Sequence, residues 1–206
     1  MQHVTILDHP LAQDALTHLR DTTTTTPDFR KYSELISKLL IEEAAALLPV
    51  SKKPVTTPLT DTDGLVLREE IVLMTILRAG LSMLTPAMHL FPKAPVGFAG
   101  LARDEQTALA KEYYWKLPRI TEQDTVLLLD PMLATGGSLL HVLKKIHTAK
   151  QIILITIVCA PEGIKTLTAA FPDIRIITAA VDEKLNDKKY IVPGLGDFGD
   201  RYFATE

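Results

Sequence analysis

The chain lacks most of what would mark it for a special environment. It has one cysteine, Cys159. One thiol makes no internal disulfide, and its place in the apolar run 152–160 reads as a small buried core residue. There is no basic surplus: 22 Lys and Arg stand against 25 Asp and Glu, for a formal net charge of −3. No nucleic-acid partner is expected, and any anion must be held by a local site. The run at 152–160 falls far short of the roughly 20 apolar residues a membrane helix needs, so no membrane partner is expected. The opening MQHVT lacks a charged stretch followed by an apolar one, which argues against a secretion signal. Together these absences lead to the expectation of a soluble, cytoplasmic protein. The six histidines offer no metal-ligand spacing. His141 and His147 face different ways on a predicted helix, and His3, His9, His18 and His89 have no partners in sequence. No protein metal ligands and no Ser-His-Asp or Cys-His set are expected.

What is present is a core-forming chain of 206 residues, 47% hydrophobic. That suits one domain, residues 1–206, with a sizeable core. Predicted helices cover 10–20 and 28–48, the second carrying a stripe of Leu35, Leu39, Ala46 and Leu47 and ending at Pro49. The threonine run 22–26 reads as a connector. Residues 55–57 and 65–68 flank Asp61 to Gly64, as in a hairpin or an irregular excursion. Strands are predicted at 71–77, 96–102, 125–129, 152–158 and 174–180. Helices at 80–90, 137–147 and 162–170 alternate with them. Residues 103–118 show no steady period and read as a long loop or flap. Strands apolar on both sides, alternating with helices, indicate an α/β fold: a parallel sheet flanked by helices. The tail after Asp182 reads as a small lobe over the sheet.

Ligands of open α/β sheets bind beyond the carboxyl ends of the strands. Arg78, Arg103 and Asp130 stand at three such ends. Asp130 opens the sharpest motif, VLLLDPMLATGGSLL. Its glycines let the backbone approach a ligand and turn N–H groups inward. The following helix start adds positive dipole, and Thr135 and Ser138 add hydroxyls. That combination is a phosphate cradle. A Thr/Ser cap on a glycine turn explains the same spacing and stays open at this point. The P-loop lysine and the G-x-G-x-x-G fingerprint are both missing, which argues against an ATPase and a dinucleotide enzyme. Arginine suits a diphosphate because it binds bidentately and stays charged. The tail, YIVPGLGDFGDRYF, interleaves glycines with aromatics and carboxylates, and its backbone can read the amide edge of a planar base.

These motifs together resemble uracil phosphoribosyltransferase, in the type I phosphoribosyltransferase family. The likeness spans nearly the whole chain: His9-Pro10-Leu11, Leu19-Arg20-Asp21, Phe29-Arg30, ILRAGL, the Arg103 loop with Glu105 and Thr107, DPMLATGGS, APEG at 160–163, and the tail motif. Pro131 after Asp130 is the pattern of the uracil branch. The resemblance implies the type I fold, with a small C-terminal base-binding lobe and a flexible flap. It implies transfer of the phosphoribosyl group of 5-phosphoribosyl 1-diphosphate (PRPP) to uracil, giving UMP and diphosphate, with Mg²⁺ as cofactor. It puts Asp130, Arg103 and Asp197 at the chemistry. PRPP would be held by Arg78, Arg103, Asp197 and the loop of Asp130, Pro131, Met132, Leu133, Ala134, Thr135, Gly136, Gly137 and Ser138. Uracil would lie against Ile191, Gly196, Asp197 and Phe198. The family also implies a homo-oligomer, dimeric or larger, and GTP as a candidate effector. One position departs: the family's GDAGD alanine is Phe198 here. That opens a second reading, transfer to another base. A third is a regulatory protein that binds PRPP or a nucleotide and acts on RNA, against which the net charge argues.

Overall fold

The computed structural model describes residues 3–68, 70–103 and 110–205, with the side chains of Arg103 and Ala110 outside the description. The first segments are β1 (Val4–Ile6), α1 (Pro10–Arg20), α2 (Thr26–Ala45), β2 (Val50–Thr56) and β3 (Asp61–Leu67). The middle holds β4 (Ile71–Leu77), α3 (Leu81–Leu90), β5 (Val96–Arg103), β6 (Ala110–Lys116), β7 (Thr125–Leu129), β8 (Met132–Leu133) and α4 (Gly137–Ile146). Then come β9 (Gln151–Cys159), α5 (Pro161–Ala170), β10 (Arg175–Val181), β11 (Lys184–Leu185), β12 (Ile191–Val192) and α6 (Phe198–Phe203).

Strand order in the main sheet is β1-β10-β9-β7-β4-β5-β6, with β8 pairing β9 off this path. All of these pairings are parallel except β5 with β6. Alternate residues of the central strands feed two cores, as the period-2 pleat requires. Leu73, Leu127, Leu129, Ile153 and Ile155 pack with α1, α2 and α3 on one face. Val72, Met74, Val126, Leu128 and Leu154 pack with α4 on the other, where Leu167 of α5 joins them. Burial on both faces is why these strands read as continuous apolar runs.

Four expectations shift. The α2 helix begins at Thr26, because Thr25 caps it: the Thr25 hydroxyl accepts from the Asp28 backbone N–H at 3.4 Å and donates to the Asp28 carboxylate at 2.7 Å. The threonine run is therefore a connector that ends in a helix start. At its other end α2 stops at Ala45. Residues 46–48 continue it only as tight turns, with Leu47 N–H on Ala44 O and Leu48 N–H on Ala45 O. The β2–β3 hairpin turns at 57–60 rather than at 61–64. The Thr57 side chain accepts from Leu59 and Thr60 N–H at 3.2 and 3.1 Å and holds the turn, leaving Gly64 inside β3 opposite Lys53. The sheet is mixed, because 110–116 forms the antiparallel edge strand β6 instead of a loop. A register break opposite Gly100 and Leu101 disturbs its alternation, which is why no steady period was legible there. Residues 104–109 of the expected flap lie outside the described residues. Among the described residues no helix is long and apolar enough to cross a membrane.

Candidate active site

Three neighbouring strands set the site. In the order β7-β4-β5 they run parallel, so their carboxyl ends share one rim. Asp130 follows β7, Arg78 follows β4, and Arg103 closes β5. The Arg103 side chain, with Glu105 and Thr107, lies outside the described residues. The turn after β4 sits tightly on β7: a Cβ added at Gly80 would lie 2.5 Å from the Leu129 carbonyl. Glycine is required there for close approach, and it draws the Arg78 turn against the strand that ends at Asp130.

Beyond Asp130 the chain does not loop away at once. Ile157 N–H bonds the Pro131 carbonyl at 3.0 Å, and β8 then runs beside β9, with Met132 opposite Val158 and Leu133 opposite Cys159. Leu133 is fully buried, so its side chain anchors the loop in the core. Ala134 to Gly136 then cross the start of α5. A Cβ on Gly163 would be 2.3 Å from the Ala134 carbonyl, which explains the glycine of the APEG segment. Gly136 has φ +83°, a left-handed value that favours glycine. It occupies the N-cap of α4 and supplies no side-chain cap. The Thr135 hydroxyl accepts from Gly137 N–H at a long 3.4 Å. Side-chain capping therefore leaves the first turn of α4 largely unsatisfied, with its amides and positive dipole facing the loop opening. Gly137 borders open space: an added Cβ would meet only Thr135 Oγ1, at 3.7 Å. The alternative of a Thr/Ser side-chain cap at the N-cap position of α4 is not what the structure shows.

Asp130 is buried, and Met132 N–H donates to its Oδ1 at 3.3 Å. Burial pushes its pKa up to about 7, and the single backbone hydrogen bond offsets only part of that. Its carboxyl is thus poised between acid and carboxylate near neutrality.

The tail folds back onto this rim. Arg78 Nη2 donates to Asp200 Oδ1 at 3.0 Å and Nη1 to Thr205 Oγ1 at 3.2 Å. The Asp197 side chain caps α6, accepting from Asp200 N–H at 2.9 Å. Arg78, Asp197 and Asp200 are therefore close neighbours, although 78 and 200 are far apart in sequence. Gly194 and Gly196 have φ of +62° and +80° and shape the loop before α6. A Cβ at Gly194 would be 2.2 Å from the Ile191 carbonyl. Ile191 is buried, so its side chain belongs to the core. Phe198 is buried as well, its ring against Phe29 and Tyr202. The side chain at the departing position points into the core.

Several supports escaped sequence reasoning. Arg20 grips buried Asp182 with both Nη atoms, at 2.9 and 2.5 Å, and also donates to the Gly194 carbonyl at 2.9 Å. Asp182 Oδ2 accepts from Gly194 N–H at 2.8 Å. Arg201 donates to the carbonyls of Leu19, Leu195 and Asp21 and covers the Phe29 ring. Glu162 accepts from Leu185 N–H at 3.0 Å, so α5 supports both the cradle and the tail lobe. The Leu19-Arg20-Asp21 and APEG segments were visible as motifs, but nothing local named their partners. Among the described residues no three His, Cys, Asp or Glu side chains converge as a metal site.

Comparison with known proteins finds relatives that match nearly the whole chain. A family model described as uracil phosphoribosyltransferase matches residues 6–205. A uracil phosphoribosyltransferase of Malacoplasma penetrans is 46% identical over 203 residues, covering 98% of each chain. One from Campylobacter concisus is 43% identical over 207 residues, covering 100% of each. A solved protein of Aquifex aeolicus is 39% identical with a TM-score of 0.92, covering 98% of this chain and 99% of its own. An adenine phosphoribosyltransferase from Leishmania donovani, 14% identical with a TM-score of 0.57, shares the fold.

Proposed function

The chain belongs to the uracil phosphoribosyltransferase family, and from that premise we propose that its strand-end crevice carries out the family's reaction. The enzyme is a pentosyltransferase: it moves the phosphoribosyl group of PRPP to uracil, giving UMP and diphosphate. The observation that carries the site assignment is the uncapped start of α4 behind Gly136, set beside buried Asp130.

On this reading residues 134–138 hold the 5-phosphate through backbone amides and the dipole of α4. Asp130 meets the ribose hydroxyls. Arg78 and Arg103 face the diphosphate. The backbone around Ile191 and Gly196 to Phe198 reads the base, with Asp197 between base and sugar. Displacement at the anomeric carbon builds positive charge on the ribose and negative charge on the departing diphosphate. Carboxylates stabilise the first and guanidinium groups the second. A covered crevice limits hydrolysis of the activated sugar.

Mg²⁺ fits this donor set. The ion is usually held by one or two carboxylates together with substrate phosphates and water, and buried Asp130, or Asp197, would supply such a carboxylate. When bound it would neutralise charge on the diphosphate.

A second copy of the chain is part of the proposal. The β2–β3 hairpin pairs with no other strand among the described residues, and it exposes Leu59, Leu65 and Val50. An isolated hairpin is marginal in water, and an apolar surface of this kind favours a partner. A cytoplasmic setting is supported by the lone buried thiol of Cys159.

The deciding experiment measures diphosphate release with uracil, cytosine and purine bases, each with and without GTP. Turnover restricted to uracil supports the reading. Turnover with another base and none with uracil would sink it. The GTP arm tests the effector.

A further inference from the structure

The cradle helix α4 touches the edge strand β6 through a cluster that the reaction, as described, does not use. Glu112 Oε2 accepts from Lys145 Nζ at 2.5 Å and lies 2.7 Å from His141 Nε2. Lys145 Nζ sits 4.2 Å from the centroid of the Trp115 ring, and the edge of that ring meets His141 at 6.5 Å between centroids. Both β6 residues therefore face α4.

They should not do so in an unbroken strand. Glu112 and Trp115 are three apart, and strand side chains alternate, so one would point away. The register explains it. Trp115 pairs with Ala99, Tyr114 with Gly100, and Glu112 with Leu101, leaving Tyr113 as an extra residue. One inserted residue reverses the parity of everything beyond it. The bulge needs Gly100: a Cβ there would lie 2.6 Å from the Tyr113 ring and 2.8 Å from Tyr114 Cβ.

The consequence is mechanical. Among the described residues β6 is an edge strand that pairs only with β5, and its ladder is interrupted at the bulge. Its second attachment is the Glu112 cluster on α4, whose first turn forms the anion cradle. An isolated surface ion pair would hold little, but here one carboxylate is shared by two donors and its cation covers an indole. We propose that Glu112 is a positioning residue: through Lys145 and His141 it fixes the antiparallel pair of β5 and β6, and with it the backbone end of β5 at Arg103, relative to the cradle. The inference rests on the PRPP assignment of that cradle.

The test uses the full chain carrying Glu112→Ala, with Lys145→Arg as the conservative control. Amide hydrogen exchange is followed without substrate, and PRPP binding by calorimetry. In Glu112→Ala, exchange over 110–116 should quicken about tenfold while β7 and β9 keep their protection. The PRPP Kd and KM should rise about fivefold, with kcat and the uracil KM within about twofold. Lys145→Arg should behave as wild type. Gly100→Ala should reproduce the exchange effect by removing the bulge. Wild-type exchange over 110–116 in Glu112→Ala would overturn the clamp. Faster exchange with unchanged PRPP affinity, or equal changes for uracil and PRPP, would overturn the positioning role. Exchange needs no activity, so wild-type protein that forms no UMP would count against the functional reading and leave the clamp itself measurable.

Discussion

The edge of the Phe29 ring meets Phe198 at 5.1 Å between centroids, with the planes 62° apart. This contact joins α2 to the start of α6 and settles where the departing residue of the tail motif goes. Phe198 is 1% exposed, so its ring is core. Phe198→Ala should cost about 3 kcal/mol of stability through the cavity it leaves. The ratio of uracil to cytosine turnover should not change. Denaturant unfolding and the base-panel assay check the two halves, and a switched base preference would put the ring back in the pocket.

Gly137 and Gly163 separate binding from folding. Gly137→Ala has space within the protein, so its melting temperature should stay near wild type while PRPP affinity falls at least tenfold, about 1.4 kcal/mol. Gly163→Ala drives a methyl into the Ala134 carbonyl, and it should lower stability as well as affinity. Paired melting curves and PRPP calorimetry distinguish the cases. Normal PRPP binding by Gly137→Ala would remove this loop from the phosphate site.

Asp130 gives a pH signature. Burial raises its folded pKa from 3.8 to about 7, so the folded state holds the proton more tightly than the unfolded chain. The resulting stability is fully present below about pH 4 and is lost as pH rises through about 7. Asp130→Asn, which cannot ionise, should be more stable than wild type at pH 8 by up to about 4 kcal/mol, and near parity at pH 4. Its activity should fall steeply. Urea melts at the two pH values give the comparison; a variant less stable than wild type at pH 8 would show that ionised Asp130 is well stabilised in the fold.

Arg20 ties α1 to Asp182 and to the Gly194 loop, which is proposed to read the base. Arg20→Met leaves buried Asp182 with Gly194 N–H as its remaining partner among the described hydrogen bonds. Removing one member of a buried pair costs about 3 kcal/mol, less here because the Arg20 side chain is 25% exposed. The uracil KM should rise several-fold and the PRPP KM much less. Steady-state kinetics with each substrate varied test this, and equal effects on both substrates would mean that Arg20 supports the whole domain rather than the base loop.

Much of this protein was legible along the chain. The strands 71–77 and 125–129 match β4 and β7 to the residue, because both faces of these strands are buried and their apolar runs are uninterrupted. The helix 10–20 matches α1 because its apolar spacing and an N-terminal proline mark it locally. Asp130, the glycines behind it and the tail stood out as local motifs because each gathers its residue types within a few positions of one another, and the binding roles proposed for them rest on that pattern. What tertiary structure decided involves partners distant in sequence. β6 was hidden because a bulge breaks its period. The β2–β3 turn moved because a threonine side chain outweighs an Asp-Gly pair. Arg78 with Asp200, Arg20 with Asp182, and Phe29 with Phe198 depend on how the tail packs back over α1, α2 and β4. No local pattern encodes that packing, since each contact exists only once both segments have been brought to the same rim of the sheet.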